Sequence, residues 1–460
     1  MSDNGSQFRA LLATVGFNTN SGIATLTVIA DTNPPVVLAV GAFPGSTQVG
    51  LTFNKDLDAV SASNPANYKV NGVAVSSVII RTNVANELTN EKNLVSLRAA
   101  SAVNGAFTVT VSGVKDLSGN AMALTTIAGT LIQLTDTDIG SPGGVPGGPD
   151  PLVAGTVTHW GPGSFDVHCG GNDYWNNADG FNFLWEPKTN SFDVKVRVLS
   201  VQGIDNWSAG AIEVREGPVT TNGGGWELAR HYFCKVDYGG PTTALDGSGG
   251  GANTYEFNCR LAPGDPTIRE TGNSGPGETY TWGGTGAGNT SPVPYPNAWI
   301  RIARVRSSDG SSDHMMGYSS GDGTNWNLRE DVDLTDSAHA GFLTSAGTAA
   351  GPWPSVCYVG LGTCSHTGVG NGNGINNATG LPYEAWVIYR NWGDTFPAVV
   401  NPTLSFLKNA DGTLTLTYTG NLYSSGTVNG TYTLVPGAVS PFTVNPQTNG
   451  PPAIFYRAGP

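Results

Sequence analysis

Two segments of the chain carry residues whose types and spacing could support hydrolysis. Ser319 stands in the run GYSSG at 317–321, which matches the G-x-S-x-G pattern of a nucleophile elbow. That pattern requires a strand, a sharp turn and a helix, whereas Asp322 and Gly323 follow here and indicate a turn of a β-hairpin. The run EDVD at 330–333 lacks the second Glu of the E-x-D-x-E arrangement that sets two carboxylates beside a glycosidic bond. The sequence therefore predicts no catalytic residue.

Acidic side chains at 331–336 could hold a hard cation. Asp331, Asp333 and Asp336 are close in the chain, and Ca²⁺ prefers carboxylate oxygens as ligands. The chain has no complete EF-type calcium loop, and its 6 histidines form neither an H-E-x-x-H motif nor a close pair. Ca²⁺ at these three aspartates is the one cofactor that the sequence suggests, and a solvated loop is the alternative.

Tryptophan side chains could form platforms for sugar rings. Trp299 and Trp386 stand in strand-like runs, which favours a place in the core. Four others stand in loop-like Gly/Pro contexts, where an exposed indole would serve binding. These candidate glycan-binding residues are Trp175, Trp226, Trp282 and Trp353. The alternative is that loop tryptophans cover the core of their own domain.

The 5 cysteines leave at least one thiol unpaired unless chains are cross-linked. Cys234 and Cys259 lie in two strand-like runs, 231–238 and 253–261. A disulfide between them is expected if those runs are antiparallel neighbours, and buried free thiols are the alternative.

The composition predicts an all-β protein. Only 12% of the 460 residues are charged, and 64 glycines with 29 prolines indicate many short strands joined by tight turns. The net charge of −13 argues against nucleic acid as a partner, and no apolar run reaches the ~18 residues of a membrane span. Such a surface is typical of extracellular or cell-surface proteins. The first residues do not resemble a signal peptide, so a leader was removed or the chain is a piece of a longer precursor.

Proline- and glycine-rich linkers divide the chain. The run DTNPP at 31–35 is stiff, whereas residues 140–151 are flexible at glycine and extended at proline. The predicted parts are residues 1–30, a small sandwich at 31–139, the linker 140–151, a large β domain at 152–396 and a C-terminal β module at 397–460.

Several of these parts resemble known families. The runs LTFNKDLD at 51–58, NPANY at 64–68 and VKDLSGNAM at 114–122 resemble bacterial Ig-like modules of the S-layer type, which usually act as spacers or stalks. The runs YPNAWIRI at 295–302 and GYSSGDGTNW at 317–326 resemble concanavalin A-like (laminin-G-like) jelly rolls of secreted bacterial proteins. The ending FYR at 455–457 resembles C-terminal modules used for surface attachment or export sorting. These resemblances imply tandem Ig-like β-sandwiches, a jelly roll and a small C-terminal β domain.

Residues 1–30 resemble only part of an Ig-like domain. The run DNGSQFRA at 3–10 is similar to the D-x-G-x-Y-x-C corner, with Phe8 for the Tyr and Ala10 for the Cys. The runs 7–15 and 21–29 are then the final two strands, and two strands cannot bury a core alone. Their apolar side chains are therefore expected to link subunits: Phe8, Leu12, Ile23, Leu26 and Val28.

Two hypotheses on function follow. In the first, the protein is a non-enzymatic structural subunit of an extracellular fibre or surface layer, and the strands of residues 1–30 join one copy to the next by strand addition. In the second, it is a carbohydrate-binding adhesin displayed on Ig-like stalk modules. A processing boundary that cuts through the first domain would explain residues 1–30 without any assembly.

Overall fold

The computed structural model divides the chain into two compact units, residues 1–191 with 196–392, and residues 192–195 with 393–460. The residues it describes are 3–15, 17–81, 91–140, 153–174, 178–203, 207–219, 225–238, 255–260, 262–265, 267, 295–307, 309–335, 352–366, 384–395, 404–418, 421–428, 430, 432–435, 438, 440–445 and 454–459. Nearly all regular structure in them is β, as the composition predicts. None of the described helices has the length and apolar character that a membrane crossing would need. The predicted linker 140–151 falls, except for Gly140, outside the described residues.

The N-terminal segment is one long, irregular hairpin. Its strands are β1 Gln7–Phe8, β2 Leu11–Thr14, β3 Phe17–Asn20 and β4 Ala24–Thr25. Strand β1 pairs with β4 and β2 pairs with β3, both antiparallel. Strands were expected at 7–15 and 21–29 with a break between them, which is wrong for residues 17–20, because β3 there pairs with β2 and extends the hairpin. We call residues 3–29 the N-terminal hairpin.

Residues 36–134 form the first sandwich. Its strands are β5 Val37–Ala42, β6 Ser46–Phe53, β7 Tyr68–Val70, β8 Val73–Ala74, β9 Ser77–Ile80, β10 Leu94–Val103, β11 Phe107–Val111 and β12 Thr125–Leu131, with a helical turn α1 at Ala59–Ala62 and a 3₁₀ turn at Pro65–Asn67. The eight strands are hydrogen-bonded in the order β8-β7-β11-β12-β5-β6-β10-β9. Alternate residues from both halves of this strand order share one core, for example Leu51 of β6 and Val109 of β11. The sheet therefore closes over itself around that core.

Residues 135–392 form the second sandwich. Its strands are β13 Thr135–Ile139, β14 Thr156–His159, β15 Phe165–Cys169, β16 Phe181–Thr189, β17 Phe192–Gln202, β18 Ala209–Arg215, β19 His231–Asp237, β20 Tyr255–Arg260, β21 Ala298–Arg306, β22 Asp313–Ser320, β23 Asn327–Asp333, β24 Val356–Cys364 and β25 Ala385–Asp394, with a 3₁₀ turn at Trp226–Leu228. One sheet has the order β13-β16-β24-β18-β19-β20 and the other β14-β15-β25-β17-β21-β22-β23. Strand β13 was expected to end the first sandwich, but it pairs with β16 and belongs to the second.

The two sheets of the second sandwich pack closely face to face. A Cβ at Gly210 of β18 would lie 2.6 Å from Val387 Cγ1 of β25. A Cβ at Gly317 of β22 would overlap Phe257 of β20. The residues of β18, β19 and β20 that share a face with Gly210 and Phe257 therefore point inward, and the alternate residues point to the outer face of the six-stranded sheet.

The expected disulfide is not formed. Strands β19 and β20 are antiparallel neighbours, as the disulfide required, but Cys234 lies opposite Phe257 and Cys259 lies opposite Tyr232. Both cysteines are buried free thiols on the inward face, and burial raises the pKa of the Cys234 thiol well above its usual value. They act as small core residues.

The C-terminal unit contains two small sheets. Strands β26 Leu404–Lys408, β27 Leu414–Tyr418 and β30 Phe442–Val444 form one, and β28 Asn421–Ser425, β29 Thr433–Leu434 and β31 Phe455–Gly459 form the other. Leu416, Tyr418 and Leu422 are the centre of its core. The run GTLTLTY at 412–418 alternates polar and apolar residues, a pattern that predicts a half-buried strand, and β27 lies within it.

The two sandwiches touch through the outer face of β6. Thr52 donates its hydroxyl hydrogen to the carbonyl of Trp160 at 2.9 Å, and Gln48 Nε2 donates to the carbonyl of His159 at 3.4 Å. Gly50 lies between these two side chains, and a Cβ there would overlap the backbone of Trp160 and Gly161. The absence of a side chain at residue 50 is therefore what lets the second sandwich approach this strand.

Gly50→Ala should force the two sandwiches apart, because a methyl group cannot share space with a backbone that is itself hydrogen-bonded. We expect a loss of ~1–3 kcal/mol in overall stability, the usual cost of overpacking, and a larger radius of gyration by small-angle scattering. Gly105→Ala, whose Cβ would meet nothing within 4 Å, is the control. An unchanged radius for Gly50→Ala would show that the interface is not held at this point.

Candidate functional site

The outer face of the six-stranded sheet carries buried charged side chains in register. Arg215, His231 and Arg260 lie side by side across β18, β19 and β20. Glu213 stands two residues before Arg215 on the same face, and Asp179 reaches the row from the turn before β16. All five side chains are buried. The row exists because an antiparallel register sets directly opposed residues on one face.

Asp179 is the centre of this polar row. Arg260 binds it with both terminal nitrogens, Nη1 to Oδ2 and Nη2 to Oδ1, each at 2.7 Å. Arg215 donates from Nη2 to Asp179 Oδ2 at 2.6 Å and from Nη1 to Glu213. Burial raises the pKa of Asp179, but Arg260, His231 and Arg215 together outweigh burial and hold that pKa well below its usual range. Asp179 is therefore ionised and doubly paired.

Three side chains of this row are of types that bind metal ions, but the positive charges around them do not suit a cation. Among the described residues, Asp179, Glu213 and His231 are the group whose ligand atoms lie close enough to share an ion. Their carboxylates are already occupied by the guanidinium groups of Arg215 and Arg260, and two fixed positive charges repel a cation. The arrangement serves as a structural ion-pair network.

A second ion pair lies further along the same face. Lys235 Nζ is 2.9 Å from Asp237 Oδ1 and 3.3 Å from Glu256 Oε2, and the ring of Trp207 lies 5.3 Å from the ammonium. Burial lowers the pKa of Lys235, but the attraction of Asp237 and Glu256 is larger and raises it above its usual value. A lysine acts as a base or nucleophile only after losing its proton. Lys235 is therefore a fixed cation.

The serine of the G-x-S-x-G run is part of a hairpin, as its context predicts. Ser319 lies near the end of β22, and residues 321–326 connect β22 to β23. The side chain is buried, and its Oγ accepts a hydrogen bond from Arg329 Nε at 2.7 Å. A cationic donor on the hydroxyl is the opposite of the general base that activates a nucleophile.

The candidate glycan-binding tryptophans do not form an exposed platform in the described part of the chain. Trp353 is 2% exposed and lies under Arg230, so its expected exposure is wrong. Trp226 is half-buried and packs against Trp185 at a tilt and against Tyr358 edge to face, so it covers the core of its own domain. Trp175 and Trp282 lie outside the described residues.

The aspartates suggested for Ca²⁺ are only partly described. Asp331 Oδ1 is 2.8 Å from His314 Nδ1, and Asp333 Oδ1 accepts hydrogen bonds from the backbone and hydroxyl of Thr335. Both carboxylates thus have protein partners. Asp336 lies outside the described residues, so Ca²⁺ at this cluster stays a prediction.

The residues expected to link subunits are uncovered. Phe8 is 60% exposed, Leu12 55% and Ile23 62%. Leu26 is also exposed, and Val28 is half-buried. The other apolar side chains of the N-terminal hairpin are exposed as well, namely Leu11, Val15, Phe17 and Ile29. This hairpin therefore presents apolar side chains that the described part of the chain does not cover.

One residue that sequence reasoning misplaced is Trp386. It was expected in the core, but on β25 it is 38% exposed. Its ring lies 4.4 Å from that of His168, its cross-strand neighbour on β15. The run AWVIYR at 385–390 has no polar–apolar alternation, so the sequence does not show which residues of this strand face outward.

Comparison with known proteins gives remote structural likenesses alone. No family model matches the chain, and no curated protein matches it. The N-terminal part of the bacterial S-layer protein SbsC is 14% identical over 45% of this chain and 41% of that chain, with a TM-score of 0.19. Domains 1–6 of the surface layer protein SbsC are 12% identical over 93% of this chain and 67% of that chain, with a TM-score of 0.21. Peanut lectin is 10% identical over 57% of this chain and 99% of that chain, with a TM-score of 0.22. Likenesses at this level carry no argument about function.

Asp179→Asn should destabilise the second sandwich by ~3–5 kcal/mol, because an amide leaves two buried guanidinium groups without their shared counter-charge. All 11 tryptophans lie between 160 and 392, so tryptophan fluorescence in a urea titration reports on this domain. The control is Asp309→Asn in an exposed turn, where we expect less than ~1 kcal/mol. An equally small effect at Asp179 would contradict a structural role for the network.

Stability should fall as the pH drops from 6.5 towards 4. His159 is buried, neither ring nitrogen has a hydrogen-bond partner among the described residues, and burial lowers its pKa from 6.5 to about 4. The unfolded chain binds this proton first, so folding free energy is lost in that window, up to ~3 kcal/mol in total. His159→Phe should remove this part of the slope when urea unfolding is compared at pH 7 and pH 4.5.

The matched control for this pH effect is His314→Gln. Burial lowers the pKa of His314, but the bond to Asp331 and the nearby carboxylates raise it overall, so its contribution has the opposite sign. The loss of stability on acidification should therefore persist in that variant. If His159→Phe keeps the full slope, the folded protein already accommodates a charged His159.

Proposed function

We propose that this chain is a non-enzymatic structural subunit of an extracellular surface layer or fibre, and that the N-terminal hairpin joins one copy to the next. The observation that carries the proposal is the exposure of apolar side chains along both strands of the hairpin, from Phe8 to Ile29. Soluble monomers rarely leave a contiguous apolar patch uncovered, and such patches mark interaction surfaces.

The energy available for such a contact is large. Transfer of a Leu, Ile or Phe side chain from water into an interface contributes about 1.5 to 3 kcal/mol. Phe8, Leu12, Phe17 and Ile23 are each more than half exposed, so covering them would outweigh the ordering of a short segment. A two-stranded ribbon is only marginally stable by itself, which adds to the benefit of cover.

The backbone of the hairpin also favours association. A two-stranded ribbon has two edges, and each presents N–H and C=O groups that can pair with a further strand. Strand addition of this kind supplies main-chain hydrogen bonds, while the side chains provide specificity. A contact between the hairpin and a different surface of the next copy is heterologous, so it propagates into a filament or layer unless it closes into a ring.

The base of the hairpin is fixed to the first sandwich. Lys55 Nζ lies 2.6 Å from Asp31 Oδ2 and donates to the carbonyl of Asn33 at 2.7 Å. Asn120 Nδ2 donates to the carbonyl of Asp31 at 3.0 Å. These contacts tie the segment that follows the hairpin to two loops of the sandwich, and a tethered element loses less entropy on docking than a free one.

The absence of enzymatic activity belongs to this proposal. In the described residues the charged groups of the six-stranded sheet are mutually paired, and Ser319 accepts a bond from Arg329. A low charge content of 12% and a net charge of −13 also suit a protein exposed to the exterior of a cell. The adhesin alternative was predicted from loop tryptophans, of which Trp353 is buried and Trp226 is half-buried.

The test is the concentration dependence of assembly in sedimentation velocity. The full chain should associate, and a variant without residues 1–30 should stay monomeric with the same melting curve for its remaining domains. The double variant Phe8→Asn/Leu12→Asn should weaken association strongly. The control is Val60→Asn/Leu117→Asn, which removes exposed apolar side chains (80% and 66%) from the first sandwich.

Two outcomes would contradict the proposal. One is a full chain that stays monomeric at all concentrations. The other is association that is equally weakened by the control pair, since that would mean general stickiness rather than a contact through the hairpin.

A further inference from the structure

A cleft of about 440 Å³ lies between the two sandwiches. The first sandwich contributes its β6, β9 and β10 side, and the second contributes β14, β15 and β25. Its lining includes Gln48, Ser96 and Arg98 of the first sandwich and Thr158, Asp166 and Trp386 of the second. This volume is in the range of small-molecule sites, which often lie at domain interfaces.

Ion pairs hold the walls of the cleft at a fixed separation. Arg81 of the first sandwich lies 2.7 Å from Asp166 of the second, and Arg390 of the second lies 2.7 Å from Glu91 of the first. Two further contacts close the ring, Arg390 to Asp166 at 2.9 Å and Arg81 to Glu91 at 3.3 Å. We call these four residues the ionic ring. A ligand entering the cleft therefore does not have to order its walls.

Trp386 gives the cleft an exposed aromatic surface. The ring of His168 packs against the Trp386 indole, with ring centroids 4.4 Å apart and the planes at 34°, and His168 Nε2 lies 2.8 Å from Glu384 Oε2. A fixed, partly exposed indole is a low-entropy platform for an apolar surface. The C–H face of a pyranose ring offers such a surface while its hydroxyls remain at the edge.

The opposite wall supplies polar groups. Gln48 Nε2 donates to Ser96 Oγ at 3.0 Å, which orients the amide at the floor of the cleft. Thr47 and Ser77 also line this wall and Thr158 lines the wall of Trp386, and each hydroxyl can both donate and accept. Asp166 is already paired within the ionic ring, so it does not make the cleft anionic.

Arg98 is the remaining charged group of the lining. It is exposed, and its guanidinium makes neither an ion pair nor a hydrogen bond with any described residue. A guanidinium is suited to bidentate recognition of a carboxylate.

We propose that this cleft binds a short saccharide, with one pyranose ring stacked on Trp386 and a carboxylate-bearing sugar preferred through Arg98. The inference does not depend on the N-terminal hairpin. The cleft and the N-terminal hairpin are different surfaces of the protein.

The experiment is a binding titration of the full chain against neutral and uronic-acid disaccharides, read by calorimetry and tryptophan fluorescence. A uronic-acid disaccharide should bind, and Trp386→Ala should weaken it at least ~10-fold, the loss expected for an aromatic anchor. Arg98→Gln should weaken the acidic disaccharide and leave a neutral one unaffected. Trp386 is at the surface, so the fold should survive, which circular dichroism checks.

The matched control is Trp326→Ala. Trp326 is a half-buried tryptophan of the same domain, next to β23 at the far edge of the seven-stranded sheet from β14. Its loss should not change binding. Equal affinity in Trp386→Ala and the unmodified chain, or no binding by any disaccharide of either class, would overturn the proposal. Binding that survives deletion of residues 1–30 separates this site from the assembly surface.

Discussion

The arrangement of the first unit depends on four charges that its two sandwiches share. Arg81 and Glu91 belong to the first sandwich, and Asp166 and Arg390 belong to the second, so separation would break the two pairs that cross the interface, Arg81–Asp166 and Arg390–Glu91. Charges withdrawn from water are costly unless they keep their partners, which makes this interface specific in orientation as well as cohesive. Gly50 adds the steric condition, because only a residue without Cβ admits the backbone of Trp160. The cleft is a consequence of this locked geometry.

The N-terminal hairpin contrasts with the rest of the chain in how its apolar residues are used. In β6 and β11 every second side chain enters a closed core, whereas Phe8, Leu11 and Leu12 have no such cover within the described residues. The hairpin is nevertheless regular, since its cross-strand bonds and the anchor at Asp31 define its backbone. The N-terminal hairpin thus has a regular backbone although the described residues leave its apolar side chains uncovered.

Local patterns predicted much of the fold and little of the sites. Polar–apolar alternation in the runs 49–53, 107–111 and 412–418 predicts β6, β11 and β27, because a half-buried strand has period two. The ionic ring could not be predicted, since Arg81 and Asp166 are 85 positions apart and Arg390 and Glu91 are 299 apart. Trp386 was missed for a related reason. The first sandwich covers the outward side of β25 near Arg390 but not at Trp386. The exposure of Trp386 therefore depends on how the two sandwiches are arranged, which the local sequence does not show. The predicted disulfide between Cys234 and Cys259 was wrong because it depends on the register of β19 and β20, which the sequence does not show.

Several residues whose types suggest chemical activity form ion pairs that stabilise the second sandwich. Asp179, Glu213 and His231 have the types of a metal or acid–base site, yet Arg215 and Arg260 pair with the two carboxylates. Lys235 is held as a cation by Asp237 and Glu256 in the same way. Catalysis requires groups whose protonation can change at working pH and whose lone pairs are available to substrate. In the polar row the carboxylates of Asp179 and Glu213 already accept hydrogen bonds from Arg215 and Arg260, so their lone pairs are engaged within the fold.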